Sequence, residues 1–232
     1  MLKKVDVSLL QAADLFDGMS LSDLERVVQA AQTRGVTTGE FLFHQGDPAR
    51  HLFVLSEGRV KLMQFTPDGQ QIIIRYIGPG ETFAVLAVLR EGDYPIAAQV
   101  VQDGVALSWN RAVMKQLMDE IPRLERNALS IMADRVREFQ DRVRELSTER
   151  VERRIARALL RLTHQAGREI KEGVLIDMPL SRQDLAEMSG TTLFTVSRTL
   201  KDWEEQGVVK CGRARVTVIS PDQLALIAED RS

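Results

Sequence analysis

The sequence predicts an α+β fold in three consecutive parts: a β-rich half, one long helix, and a smaller helical part that ends in a hairpin. Short apolar runs separated by glycine fill the first half. A narrow heptad stripe follows, and a capped helix pair with a basic hairpin comes last. Since a domain has roughly 100–200 residues, a chain of 232 residues forms one large or two modest domains. We place the parts at residues 1–110, 111–148 and 149–232.

Composition and charge exclude several classes of protein. A hydrophobic content of 44% supports a packed core, and a net charge of −2 argues against indiscriminate coating of nucleic acid. The single cysteine, Cys211, excludes a disulfide framework, a cysteine zinc site and a cysteine-held iron–sulfur cluster within one chain. We find no apolar stretch long enough to span a bilayer and no signal-peptide block, so we expect a cytoplasmic protein without a membrane partner.

The β-rich half begins with a predicted helix from about Ser20 to Gln32. Ser20 followed by Asp23 forms a capping box with aspartate in the usual glutamate place. The apolar runs behind it are short and bounded by turn residues, a pattern typical of an antiparallel barrel or sandwich. The runs are Phe41–Phe43, Leu52–Leu55, Val60–Phe65, Ile72–Ile77, Thr82–Leu89, Ile96–Val101 and Val105–Trp109.

Helical periodicity begins at Arg111, and Pro122 suits the first turn of the longer part. Its apolar stripe is only two residues per heptad wide, which suits a partner helix better than burial under a globular core. We therefore predict a parallel homodimer, with packing of the helix on its own β half as the alternative. The stripe consists of Leu129, Met132, Val136, Phe139, Val143 and Leu146. Thr148 is then placed to cap a further helix to about Ala166.

Residues 180–219 predict a helix-turn-helix followed by a wing. Ser181, with an aspartate three residues on, caps a short helix, and Gly190 permits a tight turn. Thr192 caps a second helix that stops at Gly207, and two alternating segments then form a β-hairpin.

The second helix carries two different faces. Val196, Leu200 and Trp203 are spaced to form its buried face. The other face includes Arg198, and arginine reads guanine through O6 and N7 in the major groove. Threonine hydroxyls and free N–H groups at the helix start suit phosphate oxygens. The predicted DNA contacts are Thr192, Phe194, Thr195, Ser197, Arg198, Lys201, Arg213 and Arg215. A merely solvated helix pair is the alternative.

These segments together resemble the CRP/FNR family of bacterial transcription regulators. FLFHQGDPARHLFVLSEGRVKLM and DGQQIIIRYIGPGETF are similar to its cyclic-nucleotide-binding-type, jelly-roll-like β-roll, and LSRQDLAEMSGTTLFTVSRTL is similar to its recognition motif. The stripe helix takes the place of the family's dimerisation helix. The resemblance covers nearly all of the chain. It implies a dimeric, effector-responsive sensor that binds palindromic promoter DNA and works with RNA polymerase.

The effector side departs from the family pattern. Members that bind cyclic AMP carry Gly-Glu and then Arg-Ser, whereas this chain has Val85 at the glutamate place and Pro95 and Ile96 at the Arg-Ser place. These residues supply no cation or donor for a cyclic phosphodiester, which argues against cyclic AMP bound in the usual way. The cysteine set of the iron–sulfur members is absent too.

With the cyclic AMP and iron–sulfur subgroups set aside, the chain resembles the nitric-oxide or haem-linked subgroup, or a member that has an organic ligand or none. We predict an effector pocket lined by Phe83, Val85, Leu86, Ile96 and Ala98. This apolar lining fits haem, a hydrophobic ligand or a filled core, so the cofactor stays unknown at this point.

The DNA side departs as well. Phe194 stands where many members have the glutamate of E-T-x-S-R. Glutamate accepts a hydrogen bond from cytosine N4 and phenylalanine cannot, although its ring can pack on a thymine methyl. We therefore expect Arg198 to read a G·C pair and the position of Phe194 to lose any preference for cytosine.

The remaining candidate groups are dispersed. His44, His51 and His164 have no second ligand at metal spacing, so we predict no metal site. We expect His44 to have a role in a turn, and His51 is a weak candidate for a haem ligand. We expect His164 to contact the helix dipole and Cys211 to be exposed at the wing turn.

The function class follows from what the sequence lacks and what it contains. We find no nucleophile–base or metal constellation, and therefore predict no catalytic residue and no enzyme. The alternative to a regulator is a β-roll protein that binds a small ligand or acts as a scaffold, and whose C-terminal domain does not bind DNA specifically.

Overall fold

The computed structural model describes residues 10–11 and 13–229, which divide into two compact units. The first unit comprises the described residues up to 65 together with 76–139, and the second comprises 66–75 and 140–229. The first predicted part begins at residue 1 and the third ends at residue 232. Both of these chain ends lie outside the described residues. The predicted boundaries at residues 110 and 148 stay predictions.

Two helices of the first unit begin where the sequence places a cap or a proline. Ser20 Oγ accepts a hydrogen bond from the backbone N–H of Asp23 at 3.2 Å, which confirms the predicted cap of α1. Helix α1 ends at Gln29, earlier than predicted, because the chain enters a strand at Gln32. The helical elements are a 3₁₀ turn at Asp14–Phe16, α1 Leu21–Gln29, α2 Leu86–Leu89, α3 Arg111–Glu120 and α4 Pro122–Thr148, of which α4 continues into the second unit.

A six-stranded sheet forms the β-rich part of this unit, as the alternating apolar runs predict. The central order is β1-β6-β3-β4, with β2 paired to β6 and β5 paired to β3. Strands β1, β2 and β3 all pair antiparallel with β6. The strands are β1 Gln32–Val36, β2 Phe41–Phe43, β3 His51–Phe65, β4 Gln71–Ile77, β5 Thr82–Phe83 and β6 Ala97–Asn110.

Two long strands replace what the sequence divides into four runs. The runs 52–55 and 60–65 belong to the single strand β3, and 96–101 and 105–109 belong largely to β6. Register shifts accompany the glycines between them. A Cβ on Gly104 would lie 1.8 Å from the carbonyl oxygen of Glu57, so this crossing admits only glycine. The glycines therefore mark bulges within strands and not strand ends.

Two further segments differ from the sequence prediction. The run 82–89 is wrong as a strand, since only β5 is extended and the one-turn helix α2 follows it. Ala84 lies between them at φ +61°, a left-handed conformation that ends the strand. Strand β1 was missed because its residues are mostly polar and three of the five are exposed to solvent.

The first unit has two apolar clusters. Aromatic rings dominate one of them: Phe43 stacks on Tyr94 at a centroid distance of 3.8 Å, and Phe53 stacks on Phe83 at 5.1 Å. The other surrounds Trp109, whose Nε1–H donates to the carbonyl oxygen of Val27 at 2.8 Å. The N-terminal part of α4 packs into this second cluster through Leu124, Ala128 and Ile131.

The remaining face of α4 is apolar and exposed. Leu129, Val136, Phe139, Val143 and Leu146 are each between 52% and 64% exposed, and Met132 is partly buried. A helix that buries one face in its own unit and still presents a heptad stripe fits the predicted partner helix. Among the described helices, none combines the length and the apolar character that crossing a membrane requires.

The second unit combines helices with a four-stranded sheet of order β7-β8-β10-β9. Hairpin β7–β8 was missed because the glycine-bounded segments are only four residues long. The predicted cap at Thr148 is wrong: its Oγ1 donates to the carbonyl oxygen of Arg144 at 2.8 Å within α4, and Arg150 occupies the N-cap of α5. The elements are α5 Val151–Ala166, β7 Gly167–Ile170, β8 Gly173–Ile176, α6 Arg182–Ser189, α7 Leu193–Glu205, β9 Val209–Gly212, β10 Arg215–Val218 and α8 Pro221–Glu229.

Candidate nucleic-acid interface

Helix α6 and the turn after it form as the sequence predicts. Ser181 Oγ accepts from the N–H of Asp184, and the Asp184 carboxylate accepts from the N–H of Ser181 at 2.9 Å, which completes the capping box. Gly190 has φ 59° and ψ 48°, and its N–H donates to the carbonyl oxygen of Ala186. Only glycine adopts this conformation without cost, so the turn position is fixed by sequence.

Helix α7 starts from a cap and buries one face. Thr192 Oγ1 accepts from the N–H of Thr195 at 3.2 Å, which confirms the predicted start. Val196, Leu200 and Trp203 are buried, as their spacing predicts. The first N–H groups of a helix have no acceptor within the helix, so those of Leu193 and Phe194 suit an anion, whereas that of Thr195 is bonded to the cap.

The opposite face of α7 is open to solvent. Phe194, Arg198 and Lys201 are exposed, while Thr195 and Ser197 are half-buried between them. Lys201 lies 3.8 Å from Glu205 in an exposed ion pair, whose contribution to stability is small. Arg198 has no recorded ion pair within the part of the chain that the structure describes. Its guanidinium is therefore available for an external acceptor.

The wing carries two more exposed cations. Strands β9 and β10 pair antiparallel with Arg215 opposite Gly212, so the turn consists of Arg213 and Ala214. Arg213 and Arg215 are both exposed, and neither forms an ion pair among the residues described. Lys210, in contrast, is paired with Glu172 at 2.8 Å, which raises the pKa of the ammonium and lowers that of the carboxyl.

Arginines from two helices hold the helix-turn-helix in place. Arg154 of α5 donates from Nε to the carbonyl oxygen of Ser189 at 2.9 Å and from Nη2 to that of Gly190 at 3.1 Å. Arg142 of α4 donates from Nη2 to the carbonyl oxygen of Met188 at 2.7 Å. These bonds satisfy carbonyl groups at the end of α6 that the helix itself leaves unpaired. Sequence reasoning missed them because both arginines look like members of a solvated helix face.

Two buried glutamates are paired with arginines of α4 and α5. Glu145 is 5% exposed and lies 2.9 Å from Arg161 and 3.5 Å from Arg142. Glu149 is 8% exposed and lies 2.9 Å from Arg157. Burial and the neighbouring Arg161 lower the pKa of Arg142, while Glu145 opposes that change. The paired charges thus tie the C-terminal end of α4 to α5.

Cys211 lies in strand β9 and not at the wing turn, so the expected exposed thiol is wrong. The residue is half-buried and lines an open groove of about 320 Å³ between α6, α7 and the wing. Its N–H donates to Glu204 Oε1 at 2.8 Å. Burial raises the pKa of the thiol, Glu204 raises it further, and Arg182 lowers it. The thiol is therefore a poor nucleophile at neutral pH.

The predicted effector residues do not all meet. Phe83, Ile96 and Ala98 belong to the aromatic cluster of the first unit. Val85 belongs to the cluster around Trp109, and Leu86 is exposed on α2. Three of the five residues are therefore packed together, and two lie elsewhere.

A buried carboxyl group that sequence reasoning missed lies just before this segment. Glu81 Oε2 accepts from the N–H of Gly78 at 2.6 Å and is largely screened from solvent. Burial raises the pKa of Glu81 to about 7. Asp14 and Glu138 also raise this pKa, and Arg59 lowers it, each by a smaller amount. No sequence signal distinguishes this glutamate from one in an ordinary solvated turn.

The three histidines are scattered. The His44 ring stacks on Phe41, and the backbone N–H of His44 donates to Asp47 Oδ2 at 2.7 Å, which confirms a turn role. Burial, together with Arg50 and Arg34, lowers the pKa of His51. His164 is exposed in the last turn of α5. Within the described residues, no three potential metal-ligating side chains gather.

Comparison with known proteins agrees with this architecture. Residues 33–121 match the cyclic nucleotide-binding domain and residues 153–227 match the Crp-like helix-turn-helix domain. The chain is 30% identical to the cyclic AMP receptor protein of Thermus thermophilus over 90% of its own length and 94% of the relative's. It is 23% identical to a CRP-like cAMP-activated global transcriptional regulator of Mycobacterium tuberculosis, over 94% of this chain and 97% of that protein.

A solved structure extends the likeness to the fold. The c-di-GMP responsive global regulator CLP of Xanthomonas campestris superposes with a TM-score of 0.76 at 20% identity, over 87% of this chain and all of that one. The β-roll, the helix-turn-helix and the near-complete coverage of its relatives lead to one conclusion: the chain belongs to the CRP/FNR family of transcription regulators, which are not enzymes.

Proposed function

We propose that this regulator acts as a homodimer that binds palindromic promoter DNA through α7 and controls transcription by RNA polymerase in the bacterial cytoplasm. The observation that carries the proposal is the exposed face of α7, whose Arg198 has no internal ion-pair partner among the described residues. That face begins at a capped helix N-terminus, and the arginines of the wing lie on the hairpin that follows. Such an arrangement combines base reading with phosphate contacts.

The individual contacts divide by chemistry. Arg198 is placed to donate to guanine O6 and N7, and Ser197 is short enough for a base or a phosphate. Thr192 and Thr195, whose hydroxyls lie 2.9 Å apart at the helix start, suit phosphate oxygens, as does Lys201. Arg213 and Arg215 suit the sugar–phosphate backbone beside the groove. The specific contacts thus come from α7 and the positioning contacts from its ends and the wing.

A salt-titrated shift assay tests this division. Specific duplexes are first selected from randomised DNA by the full-length protein, and binding is compared with that to scrambled duplexes. We expect Arg198→Ala to cost about 1–3 kcal/mol on specific DNA and to relax one base position. Arg213→Ala should weaken binding to both duplexes alike and reduce the salt dependence. Equal loss on both duplexes for Arg198→Ala would assign that residue to phosphate alone.

The alternative function is tested by the same assay. A β-roll protein whose C-terminal domain does not bind DNA specifically would bind selected and scrambled duplexes equally and weakly. The exposed cations of α7 and the wing would then have no specific role. Selective binding supports the regulator, and binding indifferent to sequence supports the alternative.

We further propose that the effector is not cyclic AMP bound by a Glu and Arg-Ser set. Val85 is buried in an apolar cluster and Pro95 has no donor, so neither position offers a charge or hydrogen bond to a cyclic phosphodiester. The ligands in the names of the relatives, cyclic AMP and c-di-GMP, belong to those proteins and do not establish what this chain binds. Calorimetric titration with cyclic AMP should show no binding at micromolar concentration. Saturable binding in that range would overturn the proposal.

The effector is then haem or an organic ligand, or the protein works without one. An iron–sulfur cluster is not a candidate because one cysteine cannot hold it. His51 is the haem-ligand candidate that the sequence offers, and burial together with Arg50 and Arg34 lowers the pKa of its imidazole. The absorption spectrum of protein purified from its host separates these cases. A Soret band that disappears in His51→Ala supports haem, and a plain protein spectrum favours an organic ligand or none.

A further inference from the structure

The first turn of α7 exposes two large apolar side chains in succession. Leu193 is 48% exposed and Phe194 is 75% exposed. They are the first two residues after the Thr192 cap and form the apolar tip of the helix. Leu193 lines the groove beside the wing together with Leu200, whereas Phe194 shares an exposed helix face with Arg198, one turn later. Single exposed apolar residues are common, but a phenylalanine that is three-quarters exposed on the same face as that arginine is presented to the same ligand.

The surroundings of this apolar tip determine what it fits. The hydroxyl groups of Thr192 and Thr195 lie at the same end of the helix, and Arg198 follows Phe194 by one turn on the same face. Arg182, at the start of α6, is exposed in the same helix-turn-helix. A cationic and hydrogen-bonding rim suits a polyanion and opposes the interior of a lipid bilayer or a basic protein surface. The occupant therefore combines phosphate charge with an apolar group at the centre.

The DNA major groove offers one such group. Thymine presents its C5-methyl there, and no other standard base carries an apolar substituent on that edge. Phe194, Ser197 and Arg198 are spaced three and four residues apart, so they share the helix face that enters the groove. A ring at the position of Phe194 lies one turn from Arg198 and reaches a neighbouring base pair when that arginine contacts a guanine.

We infer that Phe194 reads the C5-methyl group of a thymine next to the base pair contacted by Arg198. The inference rests on the proposed function and adds the identity of one operator base. It makes specificity at that position depend on a methyl group and not on a hydrogen bond, so uracil should be a poor substitute for thymine.

Selection from randomised duplex DNA gives the first measurement. The full-length protein, at low salt and with extract of its host cells present, should enrich an A·T pair beside a G·C pair in each half-site. Phe194→Ala should lose the preference at the A·T position and keep the G·C position. Phe194→Glu should acquire cytosine at the same place because a carboxylate accepts from cytosine N4.

Replacement of that thymine by uracil in the selected duplex is the decisive measurement. It deletes one methyl group and changes no hydrogen bond, and we expect the wild-type affinity to fall about three- to tenfold. Phe194→Ala should bind the two duplexes equally. Leu226→Ala is the matched control, since Leu226 is a 47% exposed leucine on α8, and this variant should keep the full thymine preference.

The outcomes separate the inference from the function beneath it. If no sequence is enriched, the proposed function fails and the inference fails with it. If a specific sequence is enriched but wild-type protein binds the thymine and uracil duplexes equally, the inference alone is overturned. If Phe194→Ala still distinguishes the two duplexes, another side chain reads the methyl group and the assignment to Phe194 is wrong.

Discussion

Glu81 shows how one residue can acquire a property that its sequence context hides. Its carboxylate accepts from the N–H of Gly78 in the turn between β4 and β5, and burial shifts its pKa from 4.5 to about 7. Cys211 shows the same effect in the second unit, where burial and Glu204 raise the pKa of the thiol. In both cases desolvation of the charged form outweighs the hydrogen bonds and charges that favour it.

Replacement of Glu81 by glutamine should stabilise the protein at high pH and not at low pH. In the unfolded chain the carboxyl ionises near 4.5 and in the folded chain near 7, so the wild type loses stability as the pH rises between these values. Glutamine keeps an acceptor for the N–H of Gly78 and cannot ionise. We expect Glu81→Gln to gain about 1–3 kcal/mol relative to wild type between pH 4 and pH 8.

Urea unfolding of both proteins at several pH values measures this difference. Asp23→Asn, at an exposed cap, serves as a control for carboxyl substitution in the same unit. A stability difference between Glu81→Gln and wild type that stays constant from pH 4 to pH 8 would contradict the raised pKa.

The thiol of Cys211 should react slowly with iodoacetamide at pH 7.5, and two neighbours should change the rate in opposite directions. Glu204→Gln removes a charge that raises the pKa of the thiol and keeps an oxygen for the N–H of Cys211, so alkylation should become roughly two- to fivefold faster. Arg182→Gln removes a charge that lowers this pKa, and the reaction should become slower. Rates that move in the same direction in both variants would refute the electrostatic explanation.

At the scale of elements, the ion pairs between α4 and α5 decide how the helix-turn-helix is held. Arg142 and Arg154 bond to carbonyl groups at the end of α6, and Glu145 and Glu149 neutralise the arginines that surround them. Buried charge pairs contribute little net stability, but removal of one partner leaves the other charge buried and unpaired. The network therefore fixes position more than it adds stability.

Replacement of Glu145 by alanine should destabilise the protein by about 1–3 kcal/mol, because it leaves Arg142 and Arg161 without their shared carboxylate. The value is reduced from that of a fully buried pair because both guanidinium groups reach solvent. Chemical denaturation of the full chain measures the change. Asp134→Ala removes the exposed partner of Arg137 on the same helix and should cost less than about 0.5 kcal/mol. Equal effects of the two substitutions would rule out a special role for Glu145.

Most elements could be predicted from sequence, because local signals fix them. The caps at Ser20, Ser181 and Thr192 and the left-handed Gly190 appear as expected. The strand ends around Gly58 and Gly104 were misjudged because a glycine in a bulge and a glycine in a turn look alike in sequence. The hairpin β7–β8 and strand β1 depend on partners distant in the chain, which no local pattern shows.

In the candidate site, the exposed face of α7 could be predicted from sequence, but the contacts that hold the helix-turn-helix could not. The exposed face of α7 follows from helical periodicity alone, since burial of Val196 and Leu200 leaves Arg198 and Phe194 outside. The bonds from Arg142 and Arg154 to the helix-turn-helix were not predictable, because a long arginine on a helix surface has many possible acceptors. The effector lining was predicted only from resemblance, and the structure groups three of its five residues.

At the scale of the whole molecule, we expect the homodimer to form through the exposed stripe of α4. Five of its six residues are more than half exposed, whereas the residues on the other face of the helix pack into the first unit. A second copy of the same helix would cover the stripe symmetrically. Such a dimer also supplies two copies of α7, as a palindromic DNA site requires.

Two glutamates introduced into the stripe should abolish the dimer. In Val136→Glu/Val143→Glu, like charges would face each other in a parallel pair, and we expect a monomer by sedimentation velocity at micromolar concentration. Gln140→Glu, at an exposed position outside the stripe on the same helix, should remain dimeric. A double variant that sediments as a dimer would place the interface elsewhere.

In the proposed function, a symmetric dimer reads DNA with one copy of α7 in each half-site. A hydroxyl-radical footprint of the full-length protein on its selected duplex tests this most directly. We expect two protected segments with centres about 10–10.5 base pairs apart, or a multiple of this spacing, and loss of both in the Val136→Glu/Val143→Glu variant. A single protected segment, or protection that is the same on scrambled DNA, would contradict the claim.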